Sequence, residues 1–183
     1  MATFVQGWGL TALTLVVITL VFLAGLVHLH GELRWVRSLT DHLGLELVDG
    51  GAAKRHGSLE LEAIRDEARA VRTASDPAWA QKQVRTWQMR AFRLEPALAF
   101  WTDLLRQLGL LGTVLGLGLA LAVSGEDVAT LLGPLSLKIW STVFGLSFSI
   151  ILSSLFGMKV PAWVDACEKN IEAWEARRRA ETP

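Results

Sequence analysis

The stretch Leu108-Gly-Leu-Leu-Gly-Thr-Val-Leu-Gly-Leu-Gly118 places glycine at 109, 112, 116 and 118 around one hydroxyl, Thr113, and carries no charge. In a water-exposed helix each glycine costs up to about 1 kcal/mol relative to alanine, whereas in a bilayer small residues let neighbouring helices approach closely. The flanks decide between these settings, because Gln107 to Gly125 contains no Asp, Glu, Lys or Arg. Met1 to Gly31 and Ile139 to Met158 are equally free of charge. Each of the three is about as long as the ~20-residue helix that crosses a membrane. The expected fold is an all-α membrane protein with three transmembrane helices.

Composition agrees. Of 183 residues 51% are apolar and 20% charged, and the two populations are segregated along the chain. Eighteen basic residues balance eighteen acidic ones, which excludes a polyanion-binding protein and leaves no nucleic-acid partner expected. The lone cysteine, Cys167, has no partner for a disulfide or a metal cluster. The first apolar stretch lacks a basic segment before it and a small-residue cleavage pattern, so it reads as a retained span rather than a signal peptide.

Cations near span ends stay on the cytoplasmic side, and 17 of the 18 lie between the first and second spans or after the third. The amino terminus is therefore expected outside and the carboxyl terminus inside. The connection from Ser124 to Leu137 has Glu126 and Asp127 and no cation before Lys138, which suits an external loop. Lys138 is expected to snorkel to the outer interface. Trp8 and Trp140 at outer ends, with Trp35, Trp101 and Trp163 just beyond inner ends, suit an aromatic belt, with ordinary packing as the alternative. His28 and His30 point to different helix faces at the inner end of the first span, as interfacial residues would.

The expected organisation is a first transmembrane helix over 1–30, a cytoplasmic helical section over 31–104, a two-helix membrane core over 105–158, and a cytoplasmic helix or tail over 159–183. Within the section, Trp35, Val36, Leu39, Leu43 and Leu47 recur at helical spacing before Asp49-Gly50-Gly51 breaks the pattern. A polar helix is expected from Leu59 to Thr73. Asp76 and Pro77 read as N-cap and first residue of another, running through Val84, Trp87 and Ala91, and Pro96 should kink or interrupt it. Its charged face is expected to be solvated.

In the third span Ser141, Gly145, Ser149, Ser153 and Gly157 recur every four residues beside Thr142, a slowly drifting stripe of small residues. Leu115, Leu119, Phe144, Phe148 and Ile151 make the opposite faces bulky. The pattern permits two readings: tight helix packing with hydroxyls bonded to their own backbone, or a hydrated, ion-conducting interface.

Leu110-Leu-Gly-Thr-Val-Leu-Gly116 in the second span, followed in the third by Ser141-Thr-Val-Phe-Gly-Leu146, resembles the paired signature of the MotA/TolQ/ExbB proton-channel family. The specific similarity covers about residues 104–158, and the rest is similar in layout, which is that of TolQ and ExbB. The resemblance implies a homopentamer in the bacterial inner membrane, around a dimer of a single-span partner similar to ExbD, TolR or MotB, with a periplasmic amino terminus. It implies a motor or stator subunit whose ion flow drives mechanical work. An Asp on the partner would carry the ion, and Thr113 and Thr142 match the family's path-lining threonines. Ser141 and Ser149 are secondary candidates. Gly109, Gly112, Gly116 and Gly145 are expected to serve close helix approach. The ion expected is H⁺, with Na⁺ as the alternative.

None of the three spans contains Asp, Glu or Lys, so a titratable partner is needed on physical grounds as well. The chain departs from ExbB-like proteins five residues before Thr142, where Leu137 replaces a glutamate. No phosphate loop, nucleophile constellation or metal-ligand cluster is evident, so neither an enzyme nor a cofactor is expected. The competing function is a non-conducting membrane scaffold held together by the small-residue stripes.

Overall fold

The computed structural model describes residues 2–42, 59–124 and 128–181, with side chains over 12–41, 63–118, 121 and 139–180. Every element among them is a helix: α1 Ala2–His42, α2 Leu59–Thr73, α3 Pro77–Phe92, α4 Leu94–Ser124, α5 Val128–Phe156 and α6 Lys159–Glu181. The helix expected over 59–73 is present at those bounds. Leu43, Leu47, the Asp49-Gly50-Gly51 break, the loop residues Glu126 and Asp127, and the side chains of Trp8, Leu119, Leu137 and Lys138 lie outside the described residues. The chain divides into two compact units, Met1–His28 with Ala97–Gly157, and Leu29–Pro96 with Met158–Pro183.

The polar unit has heptad-like spacing. Ala80, Val84, Trp87, Ala91 and Leu94 are buried in sequence steps of four and three, as are Val160, Val164, Cys167, Ile171 and Trp174 on α6 and Ile64, Ala68 and Val71 on α2. This spacing keeps one apolar seam on each helix facing its neighbours. Leu29, Val36 and Leu39 supply the seam of α1. Polar ties surround the seam. The carboxylate of Glu67 accepts from Trp87 Nε1 at 3.3 Å and Gln83 Nε2 at 3.4 Å, giving the buried indole N–H its partner. Arg90 pairs with Glu32 at 3.1 Å and lies 4.0 Å over the Trp35 ring, fastening α3 to α1. Asn170 donates to the Thr40 carbonyl at 3.0 Å. Trp163 lies under Arg37 at 5.4 Å, so Trp35 and Trp163 both carry cation contacts.

Asp76 has the extended backbone of an N-cap, and its side chain accepts from the Ala78 N–H at 2.9 Å ahead of Pro77. The break expected near Pro96 falls at Arg93, whose N–H turns back to the Arg90 carbonyl at 3.2 Å. The reason is local: a proline ring clashes with the carbonyl four residues earlier, here that of Phe92. Burial pushes the Cys167 thiol above its ordinary pKa, against a hydrogen bond with Thr40 that lowers it, and Glu168 adds to the rise.

The apolar unit is built differently. Among the described residues its buried positions are few and often small: Ile18 and Gly25 on α1, Leu105, Gly109 and Gly116 on α4, and Ser141, Gly145, Ser149, Leu152 and Phe156 on α5. Large apolar side chains instead face outward, among them Leu13, Leu20, Val27, Val114, Leu115, Leu121 and Ile150, with Val114 66% exposed. A water-soluble core helix buries such residues, whereas lipid or further helices cover them in a membrane. Ala12–Asp41 and Ile139–Ala180 contain windows long and apolar enough to cross a bilayer, with only 17% and 28% of those windows buried. The stretch of α4 expected as the remaining span, 107–125, runs into residues whose side chains lie outside the described set. Phe22 of α1 stacks on Phe148 of α5 at 4.3 Å. Trp101 of α4 fits against Gly25, where a β-carbon would stand 3.1 Å from the indole, and lies 6.1 Å from His28.

Candidate functional site

Two glycines create the site. A β-carbon on Gly145 would stand 2.7 Å from the Leu105 carbonyl oxygen and 2.8 Å from Gly109 Cα, and one on Gly109 would stand 3.1 Å from Gly145 Cα. The backbones of α4 and α5 therefore touch at this level, a spacing only glycine permits. Gly112 is the next notch: its β-carbon would meet Thr14 Cγ2 at 2.6 Å and Ser141 Oγ at 3.0 Å. Gly118 is different, with nothing within 4 Å. Gly116 is buried.

Close approach brings hydroxyls from both helices to one carbonyl. Thr113 Oγ1, Ser141 Oγ and Thr142 Oγ1 lie 3.2, 3.3 and 3.2 Å from the oxygen of Gly109. Thr113 also lies 3.1 Å from Ser141 Oγ and in short hydrogen-bond contact with Thr142 Oγ1. Ser141 is 2% exposed and the two threonines are half-buried. The structure thus brings together Thr113, Ser141 and Thr142. Ser149 is also buried, but it sits eight residues further along α5, about 12 Å away by helical rise. The stripe expected through Ser153 and Gly157 stays buried only as far as Ser149. Ser153 is exposed, and Gly157 ends the helix with its N–H 2.7 Å from the Ser153 carbonyl.

Proton counting shows what this cluster can do. Each hydroxyl has one proton to donate and can accept, while the Gly109 carbonyl, already serving the helix N–H four residues on, has one lone pair left. Only one hydroxyl can donate to it at a time. These contacts allow at least three orders: Ser141 to Thr113 to Thr142 to Gly109, the reverse from Thr142 to Thr113 to Ser141 to Gly109, or Ser141 and Thr142 both to Thr113 with Thr113 donating to Gly109 of its own helix. The cluster is a short hydrogen-bond chain that can run in either direction, with no charged side chain among its members.

Of the four hydroxyls expected on the ion path, Thr113, Thr142 and Ser141 lie together and Ser149 does not, and Gly109 was expected to serve close approach alone. Its carbonyl as the shared acceptor was missed, because a backbone atom leaves no residue-type signal. The approach of Thr14 was missed as well, since one threonine in an apolar helix looks like any other.

The family model described as the MotA/TolQ/ExbB proton channel family matches residues 60–173. The match extends on both sides of the 104–158 core that carries the two motifs, taking in α2, α3 and most of α6, and it leaves α1 outside. No match to the chain was found among curated proteins or solved structures.

Proposed function

The chain belongs to the MotA/TolQ/ExbB proton channel family, and from that premise we propose that it is the ion-path subunit of an inner-membrane motor. In this reading α1, α4 and α5 each cross the membrane, the amino terminus is periplasmic and the carboxyl terminus cytoplasmic. Five copies surround a dimer of a single-span, Asp-bearing partner like ExbD, TolR or MotB. The ion moves down its gradient through the partner's carboxylate, and the complex does mechanical work rather than covalent chemistry.

The hydroxyl cluster on the Gly109 carbonyl carries this reading. A carboxylate in the bilayer is costly unless donors meet it, and reorientable hydroxyls are donors that accept a proton order of either sense. The spacing favours H⁺ over Na⁺. A sodium-sized cation keeps about 2.4 Å to each oxygen, so four oxygens in a tetrahedron would stand about 3.9 Å apart. Here the Thr113–Ser141 separation is 3.1 Å and the hydroxyl-to-carbonyl separations are 3.2 to 3.3 Å. A cation would have to push the helices apart, and the Gly109–Gly145 contact opposes opening only by the loss of packing.

The scaffold reading rests on that same backbone contact, which is what helix association alone would select. Thr113→Val and Thr142→Val separate the two. Both should assemble normally and lose ion-dependent work, and full assembly with unaltered function in both would refute the ion path. Native mass spectrometry of the complex from its own membrane is expected to give five copies with two of an Asp-containing single-span protein; a different stoichiometry without such a partner would favour the scaffold.

A further inference from the structure

The hydroxyl cluster is shared by α4 and α5, but a third helix reaches it. Thr14 lies on the face of α1 that also buries Ile18, Gly25 and Leu29. Its Cγ2 stands 2.6 Å from where a β-carbon on Gly112 would be, and the same point is 3.0 Å from Ser141 Oγ and 3.1 Å from Ser141 Cβ. Thr14's methyl and Ser141's hydroxyl therefore share the notch that Gly112 leaves open. Ser141 is almost wholly buried, and the methyl lies at the same Gly112 notch that its hydroxyl borders.

We propose that Thr14 is a positioning residue for the ion path: its methyl, seated in the Gly112 notch, closes the α1 side of Ser141 and keeps that hydroxyl in the chain with Thr113 and the Gly109 carbonyl. The inference rests on the ion-path reading above and extends it to α1, which the family match does not reach. The physical reason is rotameric. A serine hydroxyl has three staggered positions and little steric preference among them, so its direction is set by what surrounds it. With a methyl on one side, Ser141 turns toward Thr113 and Gly109. Without it, the notch admits water or a different rotamer, and the chain loses Ser141, which ends one of its proton orders and starts the others.

The test uses the whole complex, purified from its own membrane into liposomes holding a pH-sensitive dye. Thr14→Val keeps the methyl in the notch at the loss of the hydroxyl's own partner, and should conduct protons at least threefold better than Thr14→Ser. Thr14→Ser removes it and should lower flux at least fivefold and change the solvent deuterium isotope effect on flux, with subunit stoichiometry unchanged. Packing alone would alter stability without altering that isotope effect. Flux and isotope effect unchanged in Thr14→Ser, or Thr14→Val as impaired as Thr14→Ser, would overturn the assignment. If Thr14→Ser fails to assemble, Thr14→Ser with Ser141→Thr returns one methyl to the notch; recovered flux and isotope effect support the proposal, and an assembled complex with neither recovered overturns it. Thr113→Val is run alongside. Unaltered flux there refutes the ion path itself, whereas loss there beside a normal Thr14→Ser refutes only the role of Thr14.

Discussion

Gly145→Ala tests the link between helix spacing and the hydroxyl cluster. The added methyl would stand 2.7 Å from the Leu105 carbonyl oxygen and 2.8 Å from Gly109 Cα, and both obstacles are backbone, so no side chain can rotate away. Ordinary contact begins near 3.4 Å. The helices must therefore retreat by about 0.7 Å along this direction, and overpacking of this kind costs roughly 1–3 kcal/mol. For a chain of this size that is a fall of roughly 2–12 °C in the melting temperature of the detergent-solubilised complex. The functional effect should be larger. Ser141 and Thr142 lie 3.3 and 3.2 Å from the Gly109 oxygen, and a retreat of about 0.7 Å carries both beyond hydrogen-bond range. Proton flux should fall by an order of magnitude or more, as for Thr113→Val. Gly118→Ala is the control, since nothing lies within 4 Å of its new methyl and no shift is required. A Gly145→Ala complex with unchanged melting temperature and flux would refute the argument that backbone contact holds the cluster together.

Asp76→Ala removes the side-chain cap of α3 and should destabilise the polar unit by about 1 kcal/mol, read by urea titration of the chain in detergent with Trp fluorescence. Cys167 should resist thiol reagents in the folded chain, because its thiol is buried and its pKa is raised, and react fully on unfolding. The linkage has a definite sign: with the folded pKa above the unfolded one, the thiol's contribution is fully present below the unfolded value. It is lost as pH rises from the ordinary thiol pKa of about 8.5 through the raised folded one, so Cys167→Ala should flatten the decline in stability above that ordinary value.

The features legible in the sequence were those written in residue type and period. Charge-free lengths marked the apolar helices, Asp76-Pro77 marked a helix start that the structure contains, and Val84, Trp87 and Ala91 formed the buried seam at the expected spacing. Thr113 and Thr142 were picked out by the resemblance of their motifs, with Ser141 and Ser149 secondary, and the structure brings together the first three but not Ser149. The shared carbonyl of Gly109 was not legible, since which of many helix carbonyls receives a hydroxyl depends on how two helices meet. The seam of α6 was also overlooked. Val160, Val164, Cys167, Ile171 and Trp174 are scattered among ten charged residues, so the segment reads as a polar tail until partners from α1 and α3 supply a reason for its period.

The polar unit is discontinuous in the chain, and that sets an order of events at the ribosome. Residues 29–96 emerge first and can form the α2–α3 hairpin, whose turn is only Ala74 to Asp76. The seam they leave open is closed by α6, which is made last, after the whole of Ala97–Gly157. Nascent chains fold as their segments become available, so the hairpin must wait with the α6 side of its seam uncovered while Ala97–Gly157 is synthesised. Completion of the polar unit thus reports that the whole of Ala97–Gly157 has already been made. A chain that stalls before α6 leaves the α6 side of the α3 seam uncovered, which is the kind of surface that chaperones recognise.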